Sequence, residues 1–174
     1  MRPIREAGGD PAFLRKALGE AAGEIRRILE AFPRSLLLEP GSGRDEDWNL
    51  LAIAVHLRDC ERGFGQQIEA FFRHDHARLR HVDTDDIPLA TAAALEDEEL
   101  VLDELRYLRR STTYLLWDLY PSDWERTAEH PYLGPVTLLE TARRMYVHDL
   151  EHLWQARRIA ESLASTPHRQ RRRR

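Results

Sequence analysis

Apolar residues recur every three or four positions along four long stretches of the chain, which is the spacing that places them on one face of an α-helix. The first predicted helix begins near Asp10 and Pro11, a residue pair typical of a helix start, and it ends before Pro33. The second is predicted from about 47 to 73 and the third from about 94 to 119. No segment shows the sustained alternation of a β-strand.

The fourth predicted helix has the clearest start. Thr137 and Glu140 have the spacing of a capping box, in which each side chain accepts a hydrogen bond from the backbone of the other residue. Four amphipathic helices of this length pack most simply as an all-α four-helix bundle. The polar segment 74–91 is long enough to cross the end or side of such a bundle. We therefore expect one bundle domain over residues 10–165 and an arginine-rich, disordered tail over 166–174.

The composition narrows the class of protein. The chain has 174 residues, of which 42% are hydrophobic, and this is enough for the core of one domain. Cys60 is its one cysteine, so no disulfide forms within the chain, which fits a reducing compartment. The N-terminal segment lacks the apolar stretch of a signal peptide, and no apolar run approaches the ~20 residues that span a bilayer. We expect a cytoplasmic protein with no membrane partner.

The distribution of charge disfavours nucleic acid as a partner. The predicted tail carries five arginines, and their removal from the net charge of −4 leaves −9 on the rest of the chain. An acidic body repels the phosphate backbone of nucleic acids. The arginine run at 171–174 could bind nucleic acid on its own, although a solvated chain end is the simpler interpretation.

Two histidines interrupt the apolar face of the fourth helix. His148 and His152 are four residues apart, so their Cβ atoms lie ~5–6 Å apart on the face that is predicted to be buried. Buried neutral imidazoles need partners and two charged ones would repel, whereas a divalent cation binds both lone pairs. His56 lies on the inner face of the second helix beside the small residues Cys60 and Gly63, which leave room for an ion. We predict that these three histidines form a metal site.

Other interpretations of the histidines remain open. Hydrogen bonds alone would satisfy a core histidine without any metal. The run HDLEH also matches the H-x-x-E-H signature of inverted zinc peptidases, in which Glu151 would be the general base, but those peptidases are large α+β proteins. His130 is either a turn residue or a side chain that reaches the site from the end of the bundle. The remaining histidines are predicted to be solvated: His74, His76, His81 and His168.

Carboxylates close to His56 are candidates for a supporting role. Histidines that bind a metal usually donate their second ring nitrogen to a partner. Asp59 or Glu61 would supply that partner or act as a base, although Glu61 has the less favourable phase on the helix. A solvated surface position is the alternative for both residues.

Three stretches of the chain, in this order, resemble the DinB/YfiT-like superfamily. They are WNLLAIAVHLRDCE, LRRSTTYLLWDLYPSDWERTAEHPYLGPVTLLE and HDLEHLWQ, and the resemblance covers about residues 12–163. It implies a four-helix bundle of up-down-down-up topology, in which 74–91 is the long crossover between helices 2 and 3. It also implies a divalent metal, nickel or zinc, held by His56, His148 and His152. Homodimers are common in this superfamily, so a homodimer is expected.

The resemblance and the histidine pattern together predict a metal-dependent enzyme. Characterised members of the superfamily resemble S-transferases or isomerases that use a low-molecular-weight thiol. Three protein ligands with open positions are the pattern of catalytic metal sites. We therefore predict a transferase or hydrolase for a small-molecule substrate, in which the metal activates a thiol or water. The alternative is a non-enzymatic, dimeric helical bundle with a stress or interaction role.

Overall fold

The computed structural model describes residues 9–88 and 90–171, and within these the side chains of residues 90 and 166–171 are not described. Four long helices form the bundle, as predicted: α1 (Pro11–Glu30), α3 (Leu50–Arg73), α5 (Glu98–Leu115) and α7 (Leu138–Arg171). The connections contain the short helices α2 (Arg34–Leu37), α4 (Ala90–Ala93) and α6 (Pro121–Trp124), a 3-10 turn (Gly43–Asp45), and the strands β1 (Thr127–His130) and β2 (Gly134–Thr137).

The bundle has the predicted up-down-down-up topology. Helices α1 and α3 each pack against both α5 and α7, so α1 and α3 occupy opposite corners. Arg58, near the start of α3, pairs with Glu96 just before α5. Further along both helices, Thr112 of α5 donates a hydrogen bond to Glu61 of α3, so these two neighbours run parallel. Parallel neighbours need a long connection, which segment 74–97 supplies.

Capping residues set the ends of the helices. The Asn49 side chain accepts the N–H of Ala52, and Asp97 accepts the N–H groups of Glu99 and Leu100. Because these side chains satisfy backbone groups at a helix start, α3 and α5 begin about three to four residues later than the apolar pattern predicts. The predicted capping box at the start of α7 is confirmed, with the backbone N–H groups of Thr137 and Glu140 donating to the opposite side chains.

The segment before α7, for which no strand was predicted, folds as an antiparallel β-hairpin. Ala128 pairs with Val136, and both side chains are buried. Gly134 has φ +71°, a conformation that glycine adopts without a steric penalty. Glu129 also exchanges two backbone hydrogen bonds of 2.8 Å with the crossover, donating to Ala77 and accepting from Leu79. The hairpin thus ties the crossover to the end of the bundle.

Two glycines allow close packing on α3. A Cβ atom at Gly63 would lie 2.7 Å from a methyl carbon of Val82, so the missing side chain lets the crossover pack against the helix. A Cβ atom at Gly65 would lie 3.1 Å from the hydroxyl of Thr112 on α5. Packing therefore explains why both helix-weakening residues stand in the middle of α3.

The remaining predictions about the fold concern its boundaries. The helical backbone of α7 is described to Arg171, past the predicted domain end at residue 165. Residues 172–174, and the side chain of His168, lie outside what the structure describes, so the disordered tail stays a prediction. Among the described helices, none is both long enough and apolar enough to cross a membrane.

Candidate metal centre

The three predicted histidines come together between α3 and α7. His56 is the seventh residue of α3, and His148 and His152 lie on the facing side of α7. The ring centroid of His56 lies 5.0 Å from that of His148 and 4.6 Å from that of His152. The centroids of His148 and His152 are 4.6 Å apart. All three side chains are buried, because the two helices enclose them within the core.

The closest approach within this group joins two ring nitrogens. Nε2 of His56 lies 2.9 Å from Nε2 of His148, so both nitrogens face the same small space. Bonds from zinc to imidazole nitrogen are ~2.0–2.1 Å long, and two such bonds enclose an angle of about 90° at this separation. The donor pair therefore fits a single divalent ion.

Cys60 adds a sulfur donor to the same space. Its Sγ lies 3.6 Å from Nε2 of His56, and the ligand atoms of His56, Cys60 and His148 all lie within 4.8 Å of one another. From the sequence, Cys60 was predicted only to be a small neighbour of His56, and its role as a donor was not predicted. The signal was present, since His56 and Cys60 have the same four-residue spacing as the pair on α7.

Gln155 and Trp48 fix the ring of His152. Nδ1 of His152 lies 2.8 Å from Oε1 of Gln155, an oxygen that can only accept a hydrogen bond. Nδ1 therefore carries the proton, and Nε2 keeps its lone pair free for a metal. The indole ring of Trp48 packs against both His56 and His152, with centroids 5.2 Å away in each case. Neither supporting residue was identified from the sequence.

Burial holds all three imidazoles in their neutral form at pH 7. Desolvation lowers the pKa of His56 to about 4 and that of His148 to about 3, and neighbouring histidines add to both shifts. The pKa of His152 is also lowered, chiefly by burial. Burial raises the pKa of the Cys60 thiol to about 12, so this thiol stays protonated unless a metal displaces the proton. Neutral imidazoles are the form that binds metal ions.

The two carboxylates named for a supporting role lie elsewhere. Asp59 pairs with Arg58 and Arg62 at the surface. Glu61 is buried and binds Arg109 of α5. Neither carboxylate forms a hydrogen bond with a ring nitrogen of His56 among the described residues, and a role for either as a base stays a prediction.

Glu61 belongs to a buried polar network that reaches all four long helices. Arg109 of α5 binds Glu61 of α3, both carboxylate oxygens of Asp149 on α7, and the carbonyl oxygen of Leu18 on α1, with bonds of 2.6–2.9 Å. Thr112 donates to the second oxygen of Glu61 at 2.6 Å. Because Asp149 directly follows His148, this network holds α7 in place beside the histidines. No role for Arg109 was predicted from the sequence.

His130 closes the hairpin. Its Nδ1 accepts the backbone N–H groups of Tyr132 and Leu133 at 3.3 Å, which is the turn role that the sequence allowed. The exposed ring of His81, predicted to be solvated, lies 4.9 Å from the ring of Tyr132. The structure brings neither histidine into contact with the three-histidine group within the described part of the chain, and a catalytic role for His130 stays a prediction.

Two cavities adjoin the histidines. One, of about 410 Å³, is lined by His56, Cys60 and several acidic residues of the crossover. The other, of about 580 Å³, is lined by His148 together with Arg143 and Arg144. Both have the size of sites that bind small molecules, ~300–1,000 Å³.

A four-helix bundle of this topology, with imidazole and thiol donors buried between two helices, defines a class of helical proteins with a candidate metal centre. The model of the DinB superfamily matches residues 6–156, so the chain belongs to this superfamily, as the sequence resemblance predicted. No curated protein matches the chain in sequence.

The bundle is similar to a solved structure, YfiT from Bacillus subtilis. The two structures share a TM-score of 0.74 at 18% sequence identity, over 88% of this chain and 87% of that one. YfiT is described as a probable metal-dependent hydrolase with an unusual four-helix bundle topology. At this level of identity the similarity establishes the fold alone.

Proposed function

We propose that this protein is a metal-dependent enzyme that acts on a small molecule. Its divalent metal, nickel or zinc, is held by His56, His148 and His152. The observation that supports the proposal most strongly is that three buried, neutral imidazoles have ring centroids only 4.6–5.0 Å apart. The donor atoms that lie within 4.8 Å of one another belong to His56, Cys60 and His148, so a place for His152 among the ligands is part of the proposal.

A hydrogen-bonded core of histidines is the competing explanation. The 2.9 Å contact between His56 and His148, the bond between His152 and Gln155, and the contact of Cys60 with the carbonyl oxygen of Asp83 are compatible with it, so metal analysis must separate the two.

The residues around the centre have separate tasks. His56 and His148 supply ring nitrogens that face one another, and Gln155 sets the tautomer of His152. Cys60 offers a thiol that either joins the donor set or borders it. The metal, when bound, supplies Lewis-acid activation of water or of a low-molecular-weight thiol. The cavities beside His56 and His148 would accept the substrate.

Hydrolysis is the reaction class that we place first. YfiT, which shares the fold, is described as a probable metal-dependent hydrolase, and three protein ligands leave positions open for water. Transfer to a low-molecular-weight thiol would use the same open positions. The two reactions differ only in the nucleophile that enters the cavity.

Metal analysis of protein purified without a histidine tag tests the centre. We expect close to one equivalent of nickel or zinc in the wild type, and loss of most of it in His56→Ala and His152→Ala. The control is His76→Ala, which removes an exposed histidine of the crossover and leaves the metal content unchanged. Absence of metal from every preparation, with stability unaffected by chelators, would contradict the proposal.

Activity assays separate the two reactions. Metal-loaded protein is incubated with 4-nitrophenyl acetate, and in parallel with 1-chloro-2,4-dinitrobenzene and glutathione, mycothiol or bacillithiol. Metal-dependent release of 4-nitrophenol without added thiol indicates a hydrolase. Conjugation that requires both metal and thiol indicates a transferase, and neither product would argue against an enzyme of these two classes.

A second candidate function, a non-enzymatic dimer, is favoured by an apolar stripe on the outer face of α5. Leu100, Tyr107 and Tyr114 are seven residues apart along α5, Trp117 lies two residues past its end, and each of the four is at least 70% exposed. The occupant we propose is a second copy of this chain. In an antiparallel pair of α5 helices that places Leu100 opposite Tyr114, Glu104 of each copy lies opposite Arg110 of the other, so these charges match.

Sedimentation experiments test this dimer. We expect Tyr107→Glu and Tyr114→Glu to shift a dimer to a monomer, because a charge would be buried in the interface. The control is Leu95→Glu, which changes an exposed apolar residue just before α5 and leaves the dimer intact. A wild-type protein that sediments as a monomer would exclude the proposed pairing.

A further inference from the structure

We propose that Arg144 forms an anion-binding subsite in the cavity beside His148, and that the substrates of the centre carry a carboxylate. This inference rests on the proposed function and extends it to the class of substrate. It starts from one guanidinium group that has no partner in the described part of the protein.

Arg144 is half-buried on α7 and unpaired. Its Nη1 atom is buried with no hydrogen-bond partner, and no carboxylate of the described residues forms an ion pair with it. By contrast, the buried guanidinium groups of Arg58 and Arg109 each bind at least two carboxylates. Within the described part of the chain, the buried guanidinium groups are thus paired, whereas that of Arg144 is not.

A buried charge without a partner is unfavourable, because burial removes its hydration and nothing replaces it. Burial alone lowers the pKa of Arg144, since no acidic group counteracts it. Buried polar groups in folded proteins are nearly always satisfied, so an exception calls for an explanation. A ligand anion would supply the missing partner.

The position of Arg144 links it to the metal centre. Arg144 and His148 are four residues apart on α7, so they share one face of the helix and both line the cavity of about 580 Å³. A ligand that spans one helical turn, ~5.4 Å, would reach from the guanidinium to the imidazole. Phe64, Val136 and Val147 supply apolar surface to the same cavity.

The acidic residues of this cavity do not neutralise Arg144. The carboxylate of Glu140 is held by the backbone and side chain of Thr137 in the helix cap. Glu151 is exposed on α7 and is seven residues from Arg144. A single guanidinium matches a single carboxylate in charge, and its fork of donors binds both carboxylate oxygens.

Nuclear magnetic resonance titration with two matched ligands tests the subsite. 4-Nitrobenzoate and its neutral amide, 4-nitrobenzamide, are added to wild-type protein with and without metal. We expect the carboxylate to bind at least ten times more tightly than the amide, including in chelator-treated protein. Arg144→Gln abolishes this preference and Arg144→Lys retains part of it. Arg157→Gln, which removes an exposed charge on α7 outside this cavity, leaves it unchanged.

Several outcomes would overturn the proposal. One such outcome is equal binding of the two ligands. Another is an equal loss of the preference in Arg144→Gln and Arg157→Gln, and a third is a preference that disappears when the metal is removed. If Arg144→Gln does not fold, the Nε–H resonance of Arg144 is followed in the wild type instead. This resonance is assigned by its absence from the spectrum of Arg144→Lys. It must shift when the carboxylate is added and stay unchanged when the amide is added. If the protein binds no metal but still prefers the carboxylate over the amide, the anion subsite is supported and the proposed metal centre is contradicted.

Discussion

At the scale of single residues, the candidate centre depends on which ring nitrogens carry protons. The three histidines are neutral because they are buried, and His152 is further fixed by the 2.8 Å contact with Gln155. The contact between His152 and Gln155 could not be predicted from the sequence, because a glutamine three residues after a histidine is common on helices. The histidines themselves were predictable, since all three continue apolar stripes.

Replacement of Gln155 tests the role of the tautomer. We expect Gln155→Leu to weaken metal binding by roughly 10- to 100-fold, because Nδ1 of His152 loses its acceptor and the ring loses its orientation. Competition with a coloured chelator measures the affinity. Gln66→Leu, at an exposed site on α3, is the control and keeps wild-type affinity. Equal affinities for both variants would show that Gln155 plays no part.

The lowered histidine pKa values predict how stability depends on pH. An unfolded histidine takes up a proton near pH 6.5, whereas His56 and His148 do so near 4 and 3 in the folded state. The unfolded chain therefore binds more protons between these values. The metal-free protein thus loses stability as the pH falls below about 6.5, by at most ~1.4 kcal/mol per pH unit for each histidine.

Urea denaturation of chelator-treated protein between pH 7 and 5 measures this slope. We expect the slope to be shallower in His148→Leu, which removes one of the two groups. His76→Leu, at an exposed site, keeps the wild-type slope. A slope that is the same in all three proteins would mean that His148 is not buried in its neutral form.

At the scale of elements, the four long helices were predictable because their apolar residues follow one period over many turns. The hairpin was not, because each strand has only four residues and its pairing depends on contacts with the crossover. Arg109 was missed because a charged residue on an apolar stripe counts against burial. The structure shows that two carboxylates from other helices make its burial possible.

Removal of Arg109 tests the network that joins the four helices. Arg109→Met leaves Glu61 and Asp149 buried without their cation, so we expect a loss of ~3–5 kcal/mol in the free energy of unfolding. Arg110→Met, one residue further along and exposed, stays within ~0.5 kcal/mol of the wild type. Urea denaturation compares the two variants. Similar stabilities would contradict a structural role for the network.

Gly63 tests the packing of the crossover on α3. Gly63→Ala places a methyl group against Val82, so we expect a loss of ~1–3 kcal/mol despite the better helix propensity of alanine. The double variant with Val82→Ala recovers part of that loss. Gly19→Ala, whose Cβ atom would meet nothing within 4 Å on α1, gains up to ~1 kcal/mol. If Gly63→Ala is more stable than the wild type, the crossover can move away from α3 at little cost in free energy, which contradicts tight packing at this site.

At the scale of the whole molecule, the topology brings the centre together. Because α3 and α7 are antiparallel neighbours, one residue of α3 meets two residues a turn apart on α7. The sequence resemblance predicted this topology, and the family match and the similarity to YfiT agree with the four-helix bundle, while the histidine centre stays a prediction. Periodicity alone predicted the bundle but not the order of its helices, since every order buries the same apolar faces.

The same topology makes α1 and α7 parallel neighbours, with Leu18 level with Asp149 and Glu24 level with Arg157. The beginning of α1 and the end of α7 therefore project from opposite poles of the molecule. Tension applied between these two points would slide one helix along the other. Under such a load the side-chain contacts between α1 and α7 would have to break at the same time and not one after another.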